Sequence, residues 1–448
     1  MKISIIDNNL HIRTATDQLA KKLLSPFCGM NTHINFVSHE TKEPRLLTAG
    51  GELTGVHLLQ GLPKSRPGIH HIGGSGTYLN EALIKTLGET IERYSQLVAE
   101  VNSQHKIVFA TYHEMHNRNE DIIDSKKLNF FSDEQFSLEK FPFQKFQENK
   151  PMGWVKAFSL TQKKNIWVPA QLLFVGYTIK RQEGEPWIFS SVTTGTAAHT
   201  TPQLALRSAL LELTQLDSAM GHWYTNTQAP LIQFDERTRI VEKYILETLP
   251  VHAVMPKFFW IKNADLSDFT IACVFETSGI PKVAVGLGAD TSLNDAICKA
   301  YLEATGVVAL SKIILIDKEL SLAVKSFDEK HAYNLDTNVG YYACGKNYAK
   351  FKDRFDDSFC IKASDLPADL SRLEYSDIQC LTEKFTCLGK DLFYLDMTAS
   401  EAKTLGFSVA RVWSPDTLSL CLPSAPPITH MRFKAYGGVT HVAPHPYP

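Results

Sequence analysis

The sequence predicts a mixed α/β fold, and two observations carry that prediction. Short β-like runs, at residues 166–168 and 283–286, alternate with amphipathic helical windows. One helical pattern, Thr-x4-Ala-x6-Glu, occurs three times, each time after a stretch of small residues. The 448 residues, 44% hydrophobic and 21% charged, can bury a large core. We therefore expect a globular protein built in part from a repeated helical unit.

Each copy of the pattern begins a plausible helix. The copies are Thr77, Ala82 and Glu89; Thr200, Ala205 and Glu212; and Thr291, Ala296 and Glu303. Helix N-caps are expected at Thr77, at Thr200 or Thr201, and at Thr291 or Ser292, with Pro202 at the first helical position. The small residues before them, at 73–76, 194–198 and 286–289, predict loops. The alternative is three unrelated helices whose Glu residues coincide.

The repeated helices carry acidic side chains at helical spacing. Glu89, Glu92 and Arg93 lie at i, i+3 and i+4, and Glu212 with Gln215 repeats the first interval. Carboxylates that share a face repel each other unless a cation lies between them, and Mg²⁺ prefers such oxygen ligands. Small-residue loops at helix N-termini suit phosphate. The pattern indicates a Mg²⁺–nucleotide site, although an ordinary solvated helix face also explains it.

Composition and standard motifs exclude several other classes of protein. Lys+Arg 46 against Asp+Glu 48 leaves a net charge of −2, which argues against a nucleic-acid binder. The longest apolar runs are too short to cross a membrane, and the amino terminus lacks a signal-peptide pattern, so a cytoplasmic location is expected. Eight cysteines without a CxxC pair argue against zinc and disulfide frameworks. The segment 340–347 nearly spells a P-loop, but Asn347 replaces its Ser or Thr.

Segments 109–150 and 326–362 show no steady periodicity and predict surface excursions. Residues 431–448 have little apolar periodicity and end in alternating prolines, so we expect an extended tail. His441 and His445 are four apart, but Pro444 between them argues against a helical metal pair.

Four segments together resemble the signature regions of the YcaO family. They are GGSGTYLNEALIKTLGETIERYS, SSVTTGTAAHTTPQLALRSALLELTQLDS, GLGADTSLNDAICKAYLEA and FYLDMTASEAKTLGFSVARVWSP, and the resemblance extends over residues 65–448. It implies repeated strand–helix units with ATP and Mg²⁺ held in a cleft between Glu-bearing helices, without a P-loop. It also implies three parts: an N-terminal segment 1–64 that packs on or leads into the main domain, a catalytic ATP-binding domain 65–430, and a tail 431–448.

The resemblance assigns roles to individual residues. It implies nucleotide binding by Ser75, Glu89, Arg93, Thr200, Glu212 and Glu303, and metal binding by Glu89, Glu92, Glu212, Gln215 and Glu303. Four positions depart from the family pattern: Ser75 for Lys, Thr200 for Asn, Gln215 for Glu and Gly306 for Gln. Gln215 still offers an oxygen ligand but removes one negative charge from the site.

The carboxyl-terminal PHPYP, residues 444–448, resembles the ending of the azoline-forming subgroup. A stiff proline-rich strand can aim the Pro448 carboxylate into a cleft, where it would act as general base, with Arg93 as the second catalytic group. A disordered tail is the alternative.

The implied reaction is ATP-dependent cyclodehydration of Cys, Ser or Thr residues in a ribosomally made precursor peptide, as in bacteriocin biosynthesis. The resemblance also implies partners: the precursor, a leader-binding subunit similar to ubiquitin-activating enzymes, an FMN-dependent azoline dehydrogenase, and a homodimer within a larger complex. Because only about 60 residues precede the signature regions, we expect a separate subunit to bind the leader. A thioamide- or amidine-forming relative and a non-catalytic ATP-binding accessory protein are the alternatives.

Overall fold

The computed structural model describes residues 6, 8–59, 61, 71–101, 105–118, 120–266 and 268–448. The expected boundary at residues 64 and 65 lies outside them. The helices in this part of the chain are α1 (Leu10–Leu23), α2 (Val56–Leu59), α3 (Leu79–Val98), α4 (Tyr112–His116), α5 (Asp133–Phe136), α6 (Ala170–Leu173), α7 (Pro202–Tyr224), α8 (Arg239–Thr248), α9 (Leu293–Ile316), α10 (Lys318–Lys325), α11 (Leu335–Ala343), α12 (Tyr348–Arg354), α13 (Ser376–Cys387) and α14 (Ser400–Thr404).

The strands are β1 (Asn31–Val37), β2 (Leu47–Leu53), β3 (His71–Gly76), β4 (Val108–Thr111), β5 (Pro151–Ser159), β6 (Lys164–Pro169), β7 (Thr196–His199), β8 (Leu231–Gln233), β9 (Lys257–Trp260), β10 (Phe269–Glu276), β11 (Val283–Asp290), β12 (Cys360–Lys362), β13 (Phe393–Asp396) and β14 (Ser408–Trp413). Short 3-10 helices lie at Ser125–Leu128, Arg181–Glu183, Ala363–Asp365, Leu373–Tyr375 and Met431–Tyr436. The mixed α/β class is confirmed.

Three sheets organise these strands. The first has the order β1-β2-β3, the second β11-β10-β9-β8-β12, and the third β4-β5-β13-β14-β7, with β6 also paired to β5. Neighbours are antiparallel except β12 and β8. Because β2 pairs with β3, strands from either side of residue 64 share one sheet. No helix among the described residues is long and apolar enough to span a membrane.

The expected repeat is present as three strand–helix units: β3 with α3, β7 with α7, and β11 with α9. The small-residue stretches, however, are mostly strand and not loop, which corrects the loop prediction. A Cβ atom at Gly74 would lie 2.7–2.9 Å from Lys85, Thr86 and Ala82 of α3. Gly286 and Gly288 likewise lie against the backbone of α9. The glycines therefore serve close packing of each strand on its helix.

The helix starts agree only in part with the expected caps. Thr201 is the N-cap of α7 and accepts a hydrogen bond from the Leu204 amide at 3.3 Å, and Pro202 opens the helix. Tyr78 is the N-cap of α3, and Ser292 precedes α9 without a side-chain bond. The first amides of α9 instead donate to Asp290 and Asp369, so this helix end is already satisfied by carboxylates.

Two other expectations are wrong in detail. The segment 109–150 is not a surface excursion throughout, because Phe130, Phe131 and Phe143 are buried and their rings pack against one another and against Phe189. Residues 431–436 form a 3-10 helix, so the tail is extended only beyond it. The polar composition of segment 109–150 predicted exposure, but its aromatic side chains are buried against one another and against Phe189, which lies outside the segment.

Candidate nucleotide and metal site

Glu89 and Arg93 lie one turn apart on α3 and are both half-buried. Glu89 accepts a hydrogen bond from the Gly73 amide of β3 at 2.7 Å. Its other oxygen forms an ion pair with Arg93 at 3.3 Å. The Arg93 Nε atom is buried and has no hydrogen-bond partner in the described chain. The helical spacing seen in the sequence thus places a carboxylate and a guanidinium beside β3.

Glu92 of α3 and Glu212 of α7 face each other across the first two repeats. Burial raises the pKa of Glu92 to about 8. The charge of Arg93 lowers this pKa, and the charge of Glu89 raises it further. Burial, and next the charge of Glu92, raise the pKa of Glu212 well above its usual range. The Ala198 amide of β7 stabilises the Glu92 carboxylate. Two carboxylates that perturb each other in this way share one desolvated space.

Glu303 of α9 brings the third repeat to the same place. Burial raises its pKa to about 7, with Glu89 raising it further and Lys85 and Arg93 lowering it. Its side chain nevertheless reaches solvent. Water reaches the Glu303 carboxylate, and the surrounding protein still desolvates it. Glu303 therefore lies on the wall of a recess. We call this space, lined by Glu89, Glu92, Arg93, Glu212 and Glu303, the glutamate recess.

The glutamate recess fits divalent cations by its chemistry. Glu89 and Arg93 act electrostatically on all three other carboxylates, so the three repeats converge on α3. Burial is the main cause of the three raised pKa values, and neighbouring carboxylates raise them further. In the described residues no group of three or more His, Cys, Asp or Glu side chains is close enough to hold a metal ion. The protein alone therefore does not assemble a complete ligand set.

The remaining predicted residues have different surroundings. Ser75 is buried on β3, where its hydroxyl lies 3.2 Å from that of Thr48. Thr200 is exposed between β7 and α7, and its amide donates to His199 Nδ1 at 2.8 Å. Gln215 is half-buried one turn after Glu212 on α7. Nucleotide contact by Ser75 and Thr200, and metal contact by Gln215, stay predictions.

Arg411 was missed by the sequence reasoning. It is 2% exposed in β14 and donates to the carbonyls of Leu172, Val192 and Thr194 and to the hydroxyls of Ser191 and Thr196. Its charge lowers the pKa of both Glu92 and Glu212, and burial lowers its own pKa to about 10. A signal was available, because Arg411 interrupts an apolar strand run, and a charge there needs partners.

The predicted base, Pro448, ends a tail that is packed against the protein. The Trp223 indole donates to the Ala443 carbonyl at 2.9 Å, and Asn338 and Tyr342 of α11 donate to the carbonyls of His445 and Pro444. The Tyr447 ring is 1% exposed. Within the described chain no hydrogen bond or ion pair joins the Pro448 carboxylate to another group, so its catalytic role stays a prediction.

The fold brings carboxylates from three strand–helix repeats to the glutamate recess, and the class of protein follows from the family to which the chain belongs. The family model described as an ATP- and Mg²⁺-binding YcaO cyclodehydratase matches residues 73–418. The chain belongs to the YcaO family. The expected cofactors, ATP and Mg²⁺, are those of the family. No protein of curated function matches the chain.

Three solved structures show the same fold. A heterocyclase in complex with substrate and cofactor has a TM-score of 0.65 and 19% identity, covering 90% of this chain and 52% of its own. YcaO from Methanopyrus kandleri, bound with AMPPCP and Mg²⁺, has a TM-score of 0.60 and 15% identity, covering 93% of both chains. The E. coli microcin synthetase McbBCD complex with pro-MccB17 bound has a TM-score of 0.59 and 14% identity, covering 93% of this chain and 96% of its own. This chain therefore spans about half of the heterocyclase.

Proposed function

We propose that this protein is an ATP-dependent cyclodehydratase that closes thiazoline or oxazoline rings in a ribosomally made precursor peptide. The observation that supports it is the convergence of carboxylates from three repeats around Arg93. Membership of a family described as cyclodehydratases gives the reaction class.

The reaction joins two steps that need different groups. A Cys, Ser or Thr side chain loses its proton and attacks the preceding backbone carbonyl carbon, which leaves an oxyanion. That oxygen takes the γ-phosphoryl group of ATP, and ADP leaves. Loss of the amide proton and of phosphate then forms the C=N bond of the ring. The net change is removal of one water from the peptide and hydrolysis of one ATP.

The residues of the glutamate recess have separate tasks in this scheme. Glu89, Glu92, Glu212, Gln215 and Glu303 would hold the metal–nucleotide unit. Bound Mg²⁺ would neutralise charge on the phosphoryl oxygens. Arg93, which forms an ion pair with Glu89 at 3.3 Å, would stabilise charge on the phosphoryl group. Ser75 and Thr200 are the proposed further nucleotide contacts, and Arg411 fixes the segment that leads into β7.

Proton removal is assigned to the Pro448 carboxylate. The tail is held by Trp223, Asn338 and Tyr342, so its last residues have a defined path. A carboxylate delivered on a fixed strand loses little entropy when it meets the substrate.

The proposal includes partners. The E. coli structure of the same fold is a multisubunit complex with its peptide bound. We accordingly propose a precursor peptide, a leader-binding subunit similar to ubiquitin-activating enzymes, a homodimer within the larger complex, an FMN-dependent dehydrogenase that follows, and a cytoplasmic location.

Mass spectrometry tests the function directly. A candidate precursor is incubated with the protein, the partner subunit and ATP, and phosphate release is followed in parallel. We expect loss of one water per ring and one phosphate per ring. Exchange of oxygen for sulfur would instead identify a thioamide-forming enzyme. ATP binding without phosphate release in the presence of precursor would identify an accessory protein.

A further inference from the structure

Gln96 of α3 is a buried polar side chain without a partner. It is 1% exposed, and neither its amide nitrogen nor its carbonyl oxygen has a hydrogen-bond partner in the described chain. Burial of a carboxamide without hydrogen bonds costs free energy, and a methionine of similar shape would avoid that cost. The fold therefore keeps a polar group here although it lowers stability, as proteins do where a function needs it.

Gln96 lies on the helix face that forms one wall of the glutamate recess. It follows Glu92 by four residues and Arg93 by three, so its side chain lies one turn beyond both. At about 100° per residue, it lies about 40° round the helix axis from Glu92 and about 60° from Arg93, on the arc between them. The carboxamide is therefore placed between these two side chains of the recess.

The two neighbours of Gln96 differ in the hydrogen bonds that they can form. The Glu92 carboxylate only accepts hydrogen bonds when it is ionised, and the Arg93 guanidinium only donates them. Arg93 Nε is buried and has no partner in the part of the chain that the structure describes, because the ion pair with Glu89 uses a terminal nitrogen. A carboxamide has both an acceptor and a donor, so Gln96 can serve Arg93 with its oxygen and Glu92 with its nitrogen.

The present partner of Arg93 is one of the proposed metal ligands. Glu89 accepts hydrogen bonds from Arg93 Nη2 at 3.3 Å and from the Gly73 amide at 2.7 Å. Ligation of a cation by Glu89 would place positive charge beside the guanidinium and weaken this ion pair. Arg93 then needs another acceptor to keep its guanidinium oriented, and the Gln96 oxygen is a free acceptor one turn away.

We propose that Gln96 is a positioning residue for Arg93 in the nucleotide-loaded protein. Its carbonyl oxygen accepts a hydrogen bond from Arg93 Nε, and its amide nitrogen donates to the Glu92 carboxylate, which fixes the carboxamide in place. The guanidinium is then oriented from its own helix, and its terminal nitrogens stay available to phosphoryl oxygens. The inference rests on the proposed function for the presence of nucleotide in the recess.

Stability and nucleotide binding together test this role. Gln96→Met keeps the size and helix propensity of the side chain and removes both hydrogen-bonding groups. Without nucleotide, we expect a higher thermal midpoint than that of the parent protein, because an unpartnered buried amide is removed. With AMPPCP and excess Mg²⁺, isothermal titration calorimetry should show about ten-fold weaker binding, through loss of one charge-assisted hydrogen bond. Replacement of a side chain with only a structural role would not raise stability and lower affinity together.

Ser95→Ala is the matched control. Ser95 is also fully buried on α3, and its hydroxyl also has no partner among the described residues. At two residues from Arg93 it does not face that side chain, so we expect this variant to bind AMPPCP normally. A second control is Arg93→Lys, which keeps the charge and lacks the Nε–H donor. In that background Gln96→Met should change the affinity by about two-fold or less.

A lower thermal midpoint in Gln96→Met, or binding as tight as in the parent protein, would overturn the inference. An equal loss of affinity in Ser95→Ala, or an undiminished loss in the Arg93→Lys background, would do the same. Glu212→Gln separates the inference from the proposed function: if that variant binds AMPPCP weakly while Gln96→Met binds it normally, only the role of Gln96 fails. Water loss from the precursor is measured apart from these titrations, which contain no peptide.

Discussion

The Ser75 hydroxyl on β3 faces Gly306 on α9: a Cβ atom added at Gly306 would lie 3.2 Å from Ser75 Oγ. These are two of the positions at which the chain departs from the family pattern, where Lys and Gln are common. The two residues that depart from the pattern therefore contact each other, one in the first repeat and one in the third. Any side chain at residue 306 would therefore contact the Ser75 hydroxyl.

Because of this contact, we expect alanine to stabilise the protein more at Gly88 than at Gly306. A Cβ atom at Gly88 on α3 meets nothing within 4 Å, so Gly88→Ala should raise the free energy of unfolding by up to about 1 kcal/mol through helix propensity. Gly306→Ala should gain less, because its methyl group meets Ser75. Adding Ser75→Ala should restore the gain. Urea unfolding measures all three, and equal effects of Gly88→Ala and Gly306→Ala would refute the contact.

Removal of one recess carboxylate should stop ATP use. Glu89→Gln or Glu212→Gln is expected to lower precursor-dependent phosphate release to background, because each removes a negative charge from the proposed metal–nucleotide site. Glu247→Gln on the exposed face of α8 is the matched control. Circular dichroism checks the fold. Full phosphate release by both recess variants would rule out the metal role.

Arg411 should matter for folding. Arg411→Met leaves the carbonyls of Leu172, Val192 and Thr194 without their donor, so we expect a loss of about 3 kcal/mol in the free energy of unfolding. Arg239→Met, which removes an exposed arginine, should cost little. If both variants unfold at the same urea concentration, the buried network is not stabilising.

Deletion of Pro448 alone separates catalysis from packing. Tyr447 stays in place, with its ring 6.4 Å from Trp223 and 5.8 Å from His445, so the thermal midpoint should stay close to that of the full chain. Ring formation should slow by more than ten-fold, about the contribution of a general base, while nucleotide affinity is unchanged. A truncated protein that forms rings at full rate would remove the tail from the mechanism.

The contribution of two buried histidines to stability should fall as the pH is lowered from about 6.5 to 4. Burial lowers the pKa of His430 and of His445 to about 4. In this window the unfolded chain, with histidine pKa near 6.5, binds protons that the folded protein does not. Each histidine should cost about 1.4 kcal/mol per pH unit, with no cost above the window.

His445→Gln tests this assignment. The amide can still donate to the Cys421 carbonyl, as His445 Nε2 does at 2.8 Å, but it does not titrate. Urea unfolding at pH 7 and pH 5 should show that this variant gains stability relative to the parent protein as the pH falls. An identical change in both proteins would show that His445 does not contribute.

The sequence predicted what depends on local periodicity. Glu89, Glu92 and Arg93 come from helix spacing, and their counterparts Glu212 and Glu303 from repetition of the same unit. It did not predict Arg411, because its acceptors at residues 172–196 are more than two hundred residues away. Glycines before each helix indicated loops, since glycine is common in loops. Only the tertiary structure shows that they give α3 and α9 room to approach a strand.

The packing of α9 on β11 restricts the position of Glu303. The glycines of β11 lie against the backbone at Ala300 and Ala304, on either side of Glu303 in the sequence. Glu303 therefore cannot shift along its helix axis unless the strand beneath moves with it. If Glu303 contacts the nucleotide as proposed, a ligand or partner that tilts the second sheet would move this carboxylate and so change nucleotide affinity from a distance.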